Sequence, residues 1–106
     1  MNAAQQVLKN ARDVIESGWC RGAYAKNKYG DSCDPLAGTA VEFCAAGALQ
    51  RVGDPVDTDT YLAAYDALAV AARAQGPYPI TQFNDKIARN KEDILKLFDD
   101  AIAAAA

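Results

Sequence analysis

Five side chains carry the clearest chemical possibilities in this sequence: Trp19, Arg21 and Tyr24 in one stretch, Asn84 and Asp85 in another. An indole, a guanidinium and a phenol so close together are what a recognition surface uses, since aromatic and arginine side chains dominate binding hot spots. Asn84-Asp85 lies between a proline-containing loop and the last apolar segment, flanked by Phe83 and Ile87. Its first reading is local: Asx side chains bond nearby backbone and set the start of the closing helix. Its second is a pocket in which Asn84 and Asp85 meet Arg21 or Tyr24, with Asp85 free to act as an acid or base. Trp19 reads first as a core anchor and second as a platform for a stacked ligand. Arg21 reads as a solvated strand residue, or as the charged member of a tyrosine-lined interaction surface with Tyr24.

The sequence contains no histidine. That excludes His-based triads, imidazole metal sites and the usual acid/base switch near neutral pH. Three cysteines, Cys20, Cys33 and Cys44, form no C-x-x-C pair, and their spacing suits neither a zinc site nor a disulfide framework. Without a neighbouring base, and set among alanines in the middle of a helix, Cys44 reads as a small buried hydrophobe. Cys20 and Cys33 face each other across a hairpin in this reading, as free thiols in a reducing compartment. No glycine-rich phosphate loop is visible, so no metal and no cofactor is expected. Asp99 and Asp100 are adjacent, point apart on a helix and make no catalytic dyad.

The elements that must position these groups are mainly helical. Ala4, Val7, Leu8, Ala11, Val14 and Ile15 recur on a 3.6-residue period and predict a helix over 3–17, stopped by Gly18 in a left-handed cap. Residues 19–34 lose that period; Asn27 and Gly30 predict a β-hairpin of about 20–26 against 31–33, or an extended loop. Asp34-Pro35 reads as a cap and first turn, predicting a second helix from Pro35 to Val52 that ends at Gly53 before Pro55. Being apolar on both edges, it is expected to be the central helix, with Gly47 marking close approach by another segment. A third helix over 58–75, capped by Asp57 or Thr58, turns Tyr61, Leu62, Tyr65, Leu68, Ala69 and Ala72 inward and stops at Gly76-Pro77. Thr81 to Ile87 suits a short helical turn. Asn90, with Asp93, starts a closing helix whose core face is Ile94, Leu97, Phe98, Ala101 and Ile102, and whose last alanines fray. The expected fold is a mainly α single domain over 1–106: a compact bundle of about four helices with a small β-hairpin or extended loop after the first.

Alanine alone supplies 23 of these residues, so much of the 51% hydrophobic content is small side chains and the core is thin. Eleven basic against 14 acidic residues leave a net charge of −3 with no basic run, which argues against direct nucleic-acid binding. The opening residues lack a charged segment followed by an apolar run, and no stretch approaches the ~18 apolar residues of a membrane span. A soluble cytoplasmic protein is expected.

Three short motifs give the chain a resemblance. Gly18-Trp19-x-x-Gly22-Ala23 follows an N-terminal helix patterned on Leu8, Ala11, Arg12, Ile15 and Glu16. Phe43-Cys44-Ala45-Ala46-Gly47-Ala48-Leu49 is the second motif. Phe83-Asn84-Asp85 is the third, before a helix ending Ile94-Leu95-x-Leu97-Phe98-Asp99-x-Ala101-Ile102. In order and spacing these resemble a family of small bacterial and phage-borne proteins classed as a domain of unknown function. Phe83 stands where that family commonly has tryptophan, and Arg21 where it has a neutral polar residue. The resemblance implies no reaction.

The functional expectation is therefore a non-catalytic module that binds a protein partner, in a bacterial, phage or mobile-element setting. One alternative is a small-molecule-binding domain with a pocket near Trp19 and Asn84-Asp85. Another is a small enzyme using Asp85.

Overall fold

The computed structural model describes residues 1–54 and 56–106, so the predicted stop at Pro55 lies outside the described residues. Helix α1 (Ala3–Ser17) starts on a capping box: the Asn2 carboxamide accepts from Gln5 N–H, and Gln5 Oε1 accepts from Asn2 N–H. Val7, Leu8, Ala11 and Ile15 form its buried stripe, as their period predicted. At its end Gly18 is extended rather than left-handed. A side chain there would run into the Val41 carbonyl, which accounts for glycine without any need for a special φ.

The hairpin is real but its strands are shorter than predicted, and a third strand joins it. Strand β1 (Ala25–Lys26) pairs antiparallel with β2 (Ser32–Cys33), and also with β3 (Glu42–Phe43), giving the order β2-β1-β3. The residue opposite Cys33 is Ala25, not Cys20. The Asn27 carboxamide accepts from the N–H groups of Tyr29 and Asp31, closing the turn as its Asx chemistry predicted.

The largest correction falls on the second helix. It does not begin at Asp34-Pro35; α2 runs only Ala45–Gly53. Asp34 instead accepts from Leu36 N–H in a local Asx turn. Gly38-Thr39 weakens any helix through the segment, and the backbone of 41–44 is taken by the sheet: Val41 N–H donates to Lys26 C=O and Cys44 N–H to Tyr24 C=O. Arg51 on α2 fixes the loop by donating to the carbonyls of Pro35 (2.9 Å) and Ala37 (2.8 Å). Cys44 is thus the N-cap of α2 rather than a mid-helix residue, and its sulfur accepts from Gly47 N–H at 3.3 Å.

Helix α3 (Thr58–Ala74) is capped by Asp57, whose carboxylate accepts from Thr60 N–H and Oγ1–H; those bonds hold its pKa below the usual carboxylate value. Its buried face is Ala64, Leu68, Ala69, Ala71 and Ala72. Leu62 and Tyr65, predicted inward, are exposed because the helix is rotated to put alanines against its neighbours. A short helix α4 (Ile80–Gln82) runs into a π-helical turn, Phe83–Ile87, and α5 (Lys91–Ala104) closes the chain from its Asn90 cap. The Asn90 carboxamide accepts from Asp93 N–H while the Asp93 carboxylate accepts from Arg89 N–H. The C-terminal alanines are tied down rather than frayed. Ala105 C=O accepts from Asn2 Nδ2, and Ile102 C=O from Gln5 Nε2.

The described residues thus form five α-helices and one three-stranded sheet, a mainly α globule with a radius of gyration of 12.5 Å. The central helix is α1, which packs on α2, α3 and α5; α2 lies to one side. Arg12 on α1 meets Asp99 on α5 at 2.7 Å, which raises the guanidinium pKa. Gly47 sits where the backbone of Tyr24 crosses α2, and a Cβ there would overlap the Tyr24 carbonyl. Gly47→Ala is therefore expected to destabilise by about 1–3 kcal/mol despite alanine's better helix propensity. Gly38→Ala, which meets open space, serves as the control in chemical denaturation.

Candidate functional site

Four of the five predicted residues, all but Tyr24, converge on one place, the junction of the loop after α1, the start of α2 and the π-helical turn. Asn84 is at its centre, fully buried. Its Oδ1 accepts from Trp19 Nε1–H at 2.8 Å and from Ala45 N–H at 3.0 Å. Its Nδ2 donates to Cys20 C=O at 3.1 Å and to Asp85 Oδ1 at 2.9 Å. All four hydrogen-bonding sites of the carboxamide are therefore used, and the partners lie 39 to 65 residues away apart from Asp85. The local Asx reading is corrected: Asn84 holds distant segments together and does not start α5, a task that falls to Asn90. The π-turn, in which Ala88 N–H bonds Phe83 C=O, gives this carboxamide its inward aim.

Asp85 extends the network. Its Oδ1 also accepts from Gly22 N–H at 3.1 Å. Gly22 has φ +80°, the left-handed region that favours glycine, and this conformation presents the amide to the carboxylate. Trp19 is half-buried, its N–H bound by Asn84 and its backbone bridged to Phe43, so the anchor reading describes its contacts. The Arg21 guanidinium lies 5.0 Å from the Trp19 ring centroid and donates to Ala88 C=O. It stays exposed to solvent, as a surface residue, while holding the indole against the segment before α5.

Tyr24 does not join Asn84. It is 50% exposed and lines a cleft of about 370 Å³ with Gly22, Ala23, Ser32, Cys44, Thr81 and Asp85. Asp85 is the one acid in that lining, so no carboxylate pair assembles there. Among the described residues no three Cys, Asp or Glu side chains gather to hold a metal ion. Burial pushes the Cys20 thiol up to about 12, with Cys44 adding to the effect, and burial raises Cys44 against the bond from Gly47. These are the opposite of an activated nucleophile.

Sequence reasoning missed three contributors: the β3 pairing, the Cys44 cap and the Arg51 staples. Alternation at Val41-Glu42-Phe43 after Gly38-Thr39 was the available signal for the first. The other two had no local signal.

Asn84→Ala leaves the Trp19 N–H, the Ala45 N–H and the Cys20 carbonyl without partners, each such loss costing about 1–3 kcal/mol. A loss of at least about 3 kcal/mol in urea denaturation is expected, against a smaller one for Asp85→Ala. The Cys20 shift adds a pH dependence. The folded protein holds that proton more tightly than the unfolded chain, so its contribution is intact below the ordinary thiol value of 9.0 and is lost as pH rises toward about 12. Melting temperatures across that range should fall less steeply for Cys20→Ala than for the parent.

No curated protein and no solved structure matches the chain. A family model described as a family of unknown function (DUF6197) matches residues 1–104. That match spans every element whose residues build the junction, and the chain belongs to this family of unknown function.

Proposed function

We propose that this protein is a non-catalytic interaction module whose sheet-side surface binds a protein partner. The observation that carries this reading is the exposure of large side chains on and beside the sheet. Tyr29 is 76% exposed, and Tyr24, Leu36 and Val41 are each close to half exposed. All four lie on or beside the three strands. Exposed aromatic groups of this kind anchor protein interfaces. Around the strands Lys26 and Lys28 are balanced by Asp31, Asp34 and Glu42, so the surface is of mixed charge. Lys28 Nζ stands 5.1 Å from the Tyr29 ring centroid, so the cation and the aromatic form one unit. Asn84 and the Trp19 N–H are spent on the fold, which removes them from direct recognition.

Compartment enters as part of the same reading. No helix of the described residues is long and apolar enough to cross a membrane, and Cys20, Cys33 and Cys44 are all free thiols. Free thiols fit the reducing cytoplasm.

A second reading has one observation in its favour. Asp85 and the Ser32, Thr81 and Tyr24 side chains surround the 370 Å³ cleft, which is within the range of small-ligand sites. One capture experiment separates the two. The immobilised protein is exposed to native cell extract beside a Tyr24→Ser/Tyr29→Ser variant and an Asp85→Asn variant, each checked for an unchanged fold. The interaction module predicts a specific protein captured by the parent and by Asp85→Asn, and lost from the tyrosine variant. Equal capture by the tyrosine variant, or loss on Asp85→Asn alone, contradicts it.

A further inference from the structure

Helix α3 carries a second unpartnered surface. Its outward line contains Asp59, Leu62, Asp66, Val70 and Arg73, all exposed, with Leu62 at 49% and Val70 at 54%. Its three charged residues fall seven apart, so they lie along one edge of the helix. Among the described residues none of the three belongs to an ion pair. Ala63 and Ala74, both exposed, flank the line and leave room for close approach of another backbone.

We propose that this face of α3 self-associates with a second copy of the chain, antiparallel, about a twofold axis through Asp66. The argument is register. A twofold at Asp66 places each residue opposite the one equally far on the other side. Asp59 then meets Arg73 of the second copy, and Leu62 meets Val70, each contact occurring twice. Charge thus pairs with charge and apolar with apolar in a single alignment. The one mismatch is on the axis, where Asp66 faces its own copy. Asp59 in the first turn and Arg73 in the last also suit the helix dipole, but the dipole gives no reason to expose Leu62 and Val70 between them. A 17-residue helix is about 25 Å long, so one such face buries less than a standard interface. The association is weak and reversible, and the Asp66 pair keeps it so.

The test is sedimentation equilibrium from micromolar to millimolar protein, with circular dichroism confirming that each variant is folded. The parent should self-associate. Asp59→Arg and Arg73→Asp each create two like-charge contacts and should weaken association about tenfold or more, since such contacts at interfaces cost several kcal/mol. The double variant Asp59→Arg/Arg73→Asp restores both pairs and should recover parental association. Asp66→Asn should tighten it. A parent that stays monomeric throughout overturns the proposal. So does a folded double variant that fails to recover, because generic surface attraction would not depend on the pairing.

Discussion

The carboxamide of Asn84 is the constraint on which the rest of the structure depends. Burying an amide group away from water is unfavourable unless every donor and acceptor finds a partner. Here the four partners come from the loop after α1, the first residue of α2 and the π-helical turn itself. Three segments far apart in the chain must therefore be in place together, or the carboxamide is buried unsatisfied. Such a network rigidifies because it tolerates no partial version. Among the described residues no buried side-chain nitrogen or oxygen lacks a partner, so the arrangement closes.

The geometry around that carboxamide explains several residue choices that look unrelated. Oδ1 reaches the Ala45 amide only because α2 starts there, and it starts there because the Cys44 sulfur caps it and β3 holds the preceding residues. Gly47 lets the Tyr24 backbone cross α2 at close range, and Gly22 turns its amide toward Asp85. The alanine-rich interior serves the same end. Ala11, Ala45, Ala48, Ala64 and Ala72 are fully buried beside Leu8, Ile15, Leu49, Leu68 and Phe98. Small side chains bring α1 close to three other helices, which gives a thin core native contact density.

Legibility in the sequence follows the range of the interactions. The α1 and α5 stripes, the Asp57 and Asn90 caps and the Asn27 turn are local, and each was readable from a few residues. Membership of a family of unknown function was anticipated, and the family model bears it out. The second helix misled because Asp34-Pro35 is a good local helix start that tertiary pairing overrides; the chain prefers β3 and the Arg51 staples. The third helix misled through rotation, since its alanines and its larger apolar residues were both candidates for the inner face. For the site, Trp19 and Asp85 bond Asn84 directly and Arg21 packs on Trp19, but the cleft is lined by Tyr24 and Asp85 and not by Trp19, Arg21 or Asn84. The role of Asn84 was not readable, because nothing local distinguishes an asparagine that will be buried from one that will be solvated.

That division of labour shapes the proposed function: the motif residues hold the fold, and the exposed side chains of the sheet segment are not committed to it. The claim about Asn84 is tested most directly by native-state hydrogen exchange of two protons that it binds, the Trp19 indole N–H and the Ala45 amide. The account predicts that both exchange only through openings near the global unfolding free energy, with the same denaturant dependence. Exchange of either at the rate of an exposed loop amide, with the other remaining protected, would contradict it.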